Sequence, residues 1–280
     1  MAYQNFIPSV WAESINRELE RACVFVEDCN RQYEGLVASK GDSVHILGVG
    51  KPTIKSLERE NANGVIDDAE EIEDTSVILG INQIRYFNYK VGDIDKAQAV
   101  GGLMDALSQE TSEGLANEMD KYIATMATNP QVQSLNASAV LVTKDNVLSL
   151  LDDAIEKLQE NDVNMASGIT VTVSPRFYKL FKQAYIGKDT DNSQMLENGR
   201  VAMYGNVTVK LSNNVEKTDS GAVDNIMIRT KRAIAFVNPL THTEAYRPEK
   251  SFADAVKGFA LFDGKVVRPK EIININVKYA

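Results

Sequence analysis

The sequence predicts an α+β protein in which an extended hairpin and one long helix precede a layered region of strands and helices. Three observations lead to this prediction. Residues 37–90 have strand-like ends and a charged middle, residues 95–127 have the apolar period of a helix, and residues 138–240 alternate between the two patterns. The chain has 280 residues, of which 44% are hydrophobic, enough for one large domain or two modest ones.

Residues 1–35 predict an N-terminal arm that leads into a helix. Phe6, Ile7 and Trp11 are apolar but come before any regular pattern. On spacing alone they fit the core of this chain and a contact with a neighbouring copy equally well. Residues 12–30 have helical spacing.

Residues 36–92 predict a long two-stranded projection. Residues 43–47 and 77–91 have strand patterns, the second as one continuous strand. Between them, residues 58–74 hold eight acidic residues and one basic residue, with little to bury. We therefore expect no core within the chain itself here. The tip is either a solvated loop or an acidic surface that docks on another copy, and its candidate contact residues are Arg59, Asp67, Asp68, Glu70 and Glu71.

The clearest helix spans roughly residues 95–127. Leu115, Met119 and Tyr122 lie on its apolar stripe at spacings of four and three, and Pro130 ends it. About 32 residues at 1.5 Å each give a rod of roughly 48 Å. Such a rod exceeds the usual need of one compact domain and suits a structural spine.

Residues 138–240 predict an α/β layered unit. Residues 169–173 predict one strand, and residues 226–237 predict one strand that is interrupted by Arg229, Lys231 and Arg232. Between them, Ser174 and Pro175 predict the start of a helix, with serine as the cap and proline at the first helical position.

Two dipeptides predict hairpin turns. Gly205-Asn206 lies between two short strand patterns, and Asp263-Gly264 lies within residues 241–280, which return to strand composition.

No motif predicts enzyme activity, a cofactor or a metal site. The glycines before Lys51 lack the spacing and the hydroxyl residue of a phosphate loop, and two histidines leave little room for an imidazole site. Cys23 and Cys29 are expected to be reduced thiols in a packed segment. No stretch is apolar enough to span a bilayer, and the N-terminus lacks a signal-peptide pattern, so we expect synthesis in the cytosol.

Charge is unevenly distributed along the chain. Residues 1–130 hold 11 basic and 22 acidic residues, a net charge of −11, and residues 131–280 hold 19 and 17, a net charge of +2. This asymmetry fits attraction between unlike halves of two copies, and it also fits ordinary solubility. The strongly basic surface of a nucleic-acid-binding protein is absent from the composition.

Several segments, taken in order, give the sequence a family resemblance. They are FIPSVW at 6–11, NRQYEG at 30–35 with GDSVHI at 41–46, YFNYKVGDIDKAQ at 86–98, NGRVAMYG at 198–205 with SNNV at 212–215, and GFALFDGKVVRP at 258–269. Their order and spacing resemble the major capsid proteins of tailed bacteriophages, with the fold named after phage Hong Kong 97.

The resemblance implies a division of the chain into parts. These are an N-terminal arm over residues 1–35, an extended loop over 36–92, a peripheral domain with a spine helix over 93–137, an axial domain over 138–240, and C-terminal strands over 241–280 that return to the peripheral and axial core. Subunit contacts are then expected from the arm, from the acidic tip, and from Arg200 in the axial-domain motif.

The resemblance also implies a function. Copies are expected to form hexamers and pentamers that assemble in the cytoplasm of a bacterial host and close into the icosahedral shell of a virion around double-stranded DNA, which they contact without sequence specificity. Because the chain begins almost directly at the arm motif, a separate scaffolding protein is expected, together with a portal and no membrane. Lys51 and Lys55 are candidates for a covalent cross-link, but no asparagine or glutamate matches that motif, so none is expected.

Two alternatives remain at this stage. One is an encapsulin-like compartment of the same fold that holds a cargo enzyme. The other is a cytosolic α/β enzyme or binding module.

Overall fold

The computed structural model describes residues 23–34, 43–49, 74–92, 103–164, 168–186, 203–249 and 253–279. Within these ranges the chain forms three α-helices and thirteen strands. The mixed α+β class predicted from the sequence is therefore confirmed.

The helices are α1 (Leu103–Thr125), α2 (Val147–Glu160) and α3 (Pro175–Ile186). The 23 residues of α1 span about 35 Å at 1.5 Å per residue. A 3-10 turn follows it, and Asn129 then has an extended backbone, so the helix ends close to where Pro130 predicts. The predicted start of this helix lies outside the described residues.

The strands before α2 are β1 (Ser43–Val49), β2 (Asp74–Gly80), β3 (Gln83–Gly92), β4 (Gln133–Ser134) and β5 (Val140–Leu141). The later strands are β6 (Ile169–Val173), β7 (Met203–Tyr204), β8 (Val207–Leu211), β9 (Lys217–Thr218), β10 (Val223–Thr230), β11 (Ile234–Tyr246), β12 (Ala253–Val266) and β13 (Ile272–Lys278).

Within the described residues these strands form three sheets. The largest has eight strands, with the order β4-β13-β10-β6-β8-β7, β5 beside β13 and β9 beside β10. It is mixed, because β6 and β8 run parallel while β10 and β13 run antiparallel. A second sheet has the antiparallel order β11-β12-β3, and β1 and β2 form an antiparallel pair.

One large hydrophobic cluster joins the eight-stranded sheet to all three helices. Ile123 of α1, Leu151 of α2, Phe177 of α3 and Ile275 of β13 are among its buried members. Burying a side chain of this size contributes about 1.5–3 kcal/mol. The cluster also contains Phe236 of β11 and Phe262 of β12, so the three-stranded sheet packs on the same core.

The single strand predicted over residues 226–237 is two strands, so that prediction is wrong. β10 ends at Thr230 in the eight-stranded sheet, and β11 begins four residues later in the three-stranded sheet. Lys231 and Arg232 are exposed in the turn between them, and the Ala233 N–H donates to the carbonyl of Thr230 at 3.2 Å. The charged residues interrupt the apolar pattern because the chain changes sheets there.

The long strand predicted over residues 77–91 is also two strands. β2 ends at Gly80 and pairs with β1, whereas β3 begins at Gln83 and pairs with β12. Between them, the backbone N–H of Asn82 donates to Oδ2 of Asp263 at 3.0 Å. A tertiary hydrogen bond thus ends a segment whose composition favours strand throughout.

The hairpin predicted at Asp263-Gly264 is wrong, because β12 runs through this dipeptide without a turn. The Asp263 carboxylate accepts hydrogen bonds from the Tyr122 hydroxyl at 2.5 Å and from the Gly264 N–H at 2.7 Å. A Cβ at Gly264 would lie 2.8 Å from Cδ1 of Ile123. The dipeptide therefore serves the close approach of α1 to the sheet.

The helix predicted over residues 12–30 is wrong over its described part. Residues 26–28 form a 3-10 turn, and Cys29 has an extended backbone. Cys23 and Cys29 are buried thiols that form no disulfide, as predicted.

Other predicted elements are confirmed. β6 has the predicted bounds, and Oγ of Ser174 accepts the N–H of Phe177 at 3.4 Å at the start of α3. β7 and β8 turn at Gly205-Asn206, where Gly205 has a φ of +56°. Glycine adopts this backbone conformation without the steric penalty that other residues meet.

Candidate functional site

The contact residues predicted from the sequence all lie outside the described residues. They are Phe6, Ile7, Trp11, Arg59, Asp67, Asp68, Glu70, Glu71 and Arg200. The described part of the chain contains the roots of the two segments that carry most of them. One root is residues 23–34, the described end of the predicted arm, and the other is the pair of strands β1 and β2, which flank the acidic tip.

The first root is held by a buried carboxylate. Asp120, on α1, is 1% exposed and accepts the backbone N–H groups of Val24 at 2.7 Å, Phe25 at 3.0 Å and Val26 at 3.2 Å. Burial raises the pKa of Asp120, and the three N–H donors partly oppose that shift. Three backbone groups that a helix would otherwise satisfy are therefore satisfied by a side chain.

The carbonyl groups of the same segment are held by a buried guanidinium. Arg229, on β10, is 1% exposed and donates from one terminal nitrogen to the Phe25 carbonyl at 2.6 Å and from the other to the Asp28 carbonyl and to Sγ of Cys29. Arginine stays protonated, and its planar donors suit several acceptors at once. The nearby negative charge of Asp120 offsets this buried positive charge.

We call Asp120, Arg229 and the backbone of residues 24–29 the clasp. Beside it, Nζ of Lys210 lies 2.6 Å from Glu27 and 2.8 Å from Asp28. Burial by itself lowers the pKa of Lys210, but the bonds to these two carboxylates outweigh it and raise the pKa above its ordinary value. The ion pairs fasten the outer side of the segment.

After the clasp the chain joins the edge of β11. The Asn30 N–H donates to the carbonyl of Ile234 at 2.8 Å, and the Phe236 N–H donates to the carbonyl of Asn30 at 2.9 Å. This parallel bridge fixes the direction in which the segment leaves the core.

The second root is buried on the chain's own sheet, which corrects the expectation that the projection has no core within its own chain. Its apolar side chains pack against the start of β11 and the end of β12, and the members of this cluster are Val44, Ile46, Leu79, Ile81, Ala235, Val237 and Leu261. Nζ of Lys265 also donates to the carbonyl of Ile78 at 2.8 Å. The correction applies to the base alone, because residues 50–73 lie outside the described range.

Large apolar side chains are exposed at six described positions, which are Ile78, Ile84, Tyr86, Leu141, Met203 and Leu211. Tyr86 is 79% exposed, in the middle of β3, an edge strand of the three-stranded sheet as described. Side chains along β3 alternate between half-buried and exposed. The exposed face of this sheet thus carries the aromatic ring of Tyr86.

The described residues hold no group of three or more histidine, cysteine, aspartate or glutamate side chains that could bind a metal ion. No helix among them is long and apolar enough to cross a membrane.

No protein-family model and no curated protein matches the sequence. Solved structures do match. A chain from Mycobacterium phage Che8 is 28% identical, with a TM-score of 0.74 and 90% of each chain covered. The capsid structure of the cyanophage P-SCSP1u is 15% identical, with a TM-score of 0.69 over 92% of this chain and 88% of that one. A virus-like particle from Pyrococcus furiosus is 12% identical, with a TM-score of 0.61 over 95% and 98%.

The fold is that of bacteriophage capsid proteins. The resemblance predicted from the sequence is therefore confirmed over about 90% of the chain. The two roots are where the described chain adjoins the segments that hold most of the predicted contact residues.

Sequence reasoning missed both charged members of the clasp. A signal was present in each case. Arg229 follows three apolar residues in a strand pattern, and Asp120 adjoins Met119 in the apolar stripe of the long helix. A single charge inside an otherwise buried pattern indicates a partnered buried group.

Proposed function

We propose that this chain is the major capsid protein of a tailed bacteriophage. The observation that supports this most strongly is the match to the Che8 chain, with 28% identity and 90% of both chains covered. Copies assemble as hexamers and pentamers into an icosahedral shell around double-stranded DNA. The role is structural rather than catalytic, and the protein is part of the virion.

We propose that the elements take parts like those implied by the resemblance, with three differences. β3 belongs to the peripheral domain rather than to the extended loop, the start of β11 to the peripheral rather than the axial domain, and β4 to the axial rather than the peripheral domain. α1 is the spine helix, and with β3, β11 and β12 it forms the peripheral domain. The eight-stranded sheet with α2 and α3 forms the axial domain, and β1 and β2 form the root of the extended loop. Two hydrogen bonds of the Asp263 carboxylate support the peripheral grouping, since they tie β12 to Tyr122 of α1 and to Asn82, the residue before β3.

We propose that the contacts between copies are made by the segments beyond the two roots. The arm carries Phe6, Ile7 and Trp11 to a neighbour, and the acidic tip of the loop docks on basic groups of a neighbour. Charge supports this pairing, because residues 1–130 have a net charge of −11 and the remainder has one of +2. Arg200 contributes a contact from the axial domain. A separate scaffolding protein and a portal are the further expected partners, and contact with DNA is non-specific.

An encapsulin-like compartment is the second candidate, and the Pyrococcus furiosus virus-like particle supports it. That chain matches this one over nearly its whole length, but with 12% identity against 28% for the phage Che8 chain. The phage assignment is therefore favoured. Portal and terminase genes beside the coding sequence would establish it, and a neighbouring cargo enzyme gene would favour the compartment.

Expression of the chain followed by electron microscopy and size-exclusion chromatography tests the shell proposal. We expect closed particles, with or without a co-expressed scaffold. A monomer or dimer of the 30.9 kDa subunit, under every condition that permits related shells to form, contradicts the proposal and favours an enzyme or binding module.

A further inference from the structure

An uncharged groove lies between the turn that follows α1 and the strands β10 and β13. Its volume is about 450 Å³, and its lining is made of amide and hydroxyl side chains with a few small apolar ones. Among the described residues, none that lines it carries a charge. We call this the amide groove.

A network of asparagine side chains fixes the floor of the amide groove. Nδ2 of Asn274 donates to Oδ1 of Asn225 at 3.1 Å and to Oδ1 of Asn276 at 2.8 Å, and Nδ2 of Asn276 donates to Oγ of Ser134 at 2.9 Å. Asn274 is only 5% exposed. The network holds Asn225, Asn274 and Asn276 in place before anything binds, which lowers the entropy cost of binding in the groove.

The chemistry of the groove selects an uncharged peptide. An ionised side chain would lose its hydration here without gaining an opposite charge. Nucleic acid is disfavoured for the same reason, because its binding depends on basic side chains that neutralise phosphates. Backbone amides, in contrast, offer the same donors and acceptors as the asparagine side chains.

The first eleven residues of the chain have the matching composition. They contain no charged side chain, although 25% of the whole chain is charged, and they include Phe6, Ile7, Val10 and Trp11. A volume of about 450 Å³ lies within the range of roughly 300–1,000 Å³ that is usual for binding pockets. It has room for a few of these side chains.

We propose that the amide groove receives residues 1–11 of a neighbouring copy. The proposal rests on the proposed shell function, because an arm docked on its own subunit would tie no copies together. Residues 12–22 can span at most about 36–40 Å, enough for the arm to cross from the clasp to an adjacent subunit. The groove is thus the receptor and the arm the ligand of one interface between copies.

Disulfide trapping in mixed shells tests this. One population carries Ser9→Cys in the arm and the other carries Thr128→Cys, an exposed position on the groove. Ala139→Cys is a second groove variant, in case Thr128→Cys assembles poorly. Ser149→Cys, exposed on α2 and away from the groove lining, is the matched control. Cys23 and Cys29 are buried and present in every variant.

We expect a dimer band between Ser9→Cys and the groove variants after mild oxidation. Because a docked arm holds its thiol at an effective concentration of millimolar order, we expect about tenfold more dimer than with Ser149→Cys. Equal yields with the control, or closed particles without any dimer, overturn the inference and leave the proposed function standing. A disulfide that forms only within one chain of a Ser9→Cys/Thr128→Cys double variant overturns it in favour of self-docking. Failure of the unmodified chain to form particles contradicts the proposed function itself.

Discussion

Asp120 and Arg229 hold the same residue, Phe25, by its two backbone groups. The Asp120 carboxylate accepts the N–H of Phe25 at 3.0 Å, and the Arg229 guanidinium donates to its carbonyl at 2.6 Å. Both charged residues are buried, and they come from a helix and a strand that are more than 100 residues apart. The clasp thereby fixes the described end of the arm, whose regular structure within residues 24–29 is a single 3-10 turn.

Asp120→Asn should destabilise the subunit strongly. The amide has one acceptor oxygen for three N–H donors, and Arg229 would be left without its buried counter-charge. Leaving a buried N–H group without an acceptor costs about 1–3 kcal/mol, so we expect the free energy of unfolding to fall by at least about that amount in urea titrations. Glu118→Gln, on the same helix but in exposed ion pairs with Lys121 and Arg85, is the control and should change stability by less than about 1 kcal/mol. Equal effects from the two variants would contradict the clasp.

Arg229→Met should destabilise the subunit to a similar degree, because it leaves the carbonyls of Phe25 and Asp28 unpaired and the Asp120 charge uncompensated. In a double-mutant cycle with Asp120→Asn, we expect the combined loss to be smaller than the sum by about 1–3 kcal/mol. Limited proteolysis after Arg21 should also become faster, since the segment would be released. Additive losses would show that the two side chains act independently.

Two glycine-to-alanine substitutions should have opposite effects. At Gly264 a Cβ would lie 2.8 Å from Cδ1 of Ile123 and 3.0 Å from Cε of Met126, so Gly264→Ala should cost about 1–3 kcal/mol. At Gly114, within α1, a Cβ meets nothing within 4 Å, and Gly114→Ala should add about 0.5–1 kcal/mol by favouring the helix. Thermal unfolding of both variants measures this. Destabilisation by Gly114→Ala would contradict the open space around Gly114.

Tyr204 should ionise at unusually high pH. Its hydroxyl donates to the Asp152 carboxylate, and burial together with that carboxylate raises the pKa of Tyr204 to about 12. Because the folded-state pKa exceeds the unfolded one, of about 10, this group stabilises the fold below pH 10, and that contribution is lost as the pH rises through 12. The tyrosinate absorbance difference between the unmodified chain and Tyr204→Phe isolates this titration. In Asp152→Asn the midpoint should shift downwards, and an unchanged midpoint would exclude the carboxylate as a cause.

Deletion of residues 59–72 should leave a folded subunit that assembles poorly. The base of the hairpin keeps its buried residues Val44, Ile46, Leu79 and Ile81, so the unfolding midpoint should stay close to that of the full chain. Particle yield, measured by electron microscopy, should fall sharply. A second variant, Asp67→Asn/Asp68→Asn/Glu70→Gln/Glu71→Gln, keeps the length and removes charge. Normal shell yield from the deletion would rule out an assembly role for the tip.

The sequence predicted most of the elements that local rules determine. The strand over residues 169–173, the Ser174-Pro175 helix start and the turn at Gly205 follow from periodicity and cap chemistry, and all three are confirmed. These features depend on neighbours within a few residues, which a single sequence displays.

The errors occurred where side chains far away in the sequence determine the backbone conformation. Asp120 and Arg229 bind the backbone of residues 24–29, which is therefore not the predicted helix. The Asp263 carboxylate accepts hydrogen bonds from Tyr122 of α1 and from Asn82, and the chain makes no turn there. Such contacts join positions about 95 to 204 residues apart, and no local pattern reports them. The predicted contact residues stay predictions, since they lie beyond the described ranges.

The passage from β10 to β11 has a mechanical consequence. Only three residues, 231–233, separate strands of two different sheets, and the carbonyl of Ala233 accepts the N–H groups of Val267 at 2.9 Å and Arg268 at 3.1 Å. Because this linker is short and hydrogen-bonded, we expect the two sheets to bend little relative to each other at this point. If the proposed rings of five and of six copies are built from this subunit, we expect the difference in angle to be absorbed at the contacts between molecules rather than by a hinge at this linker.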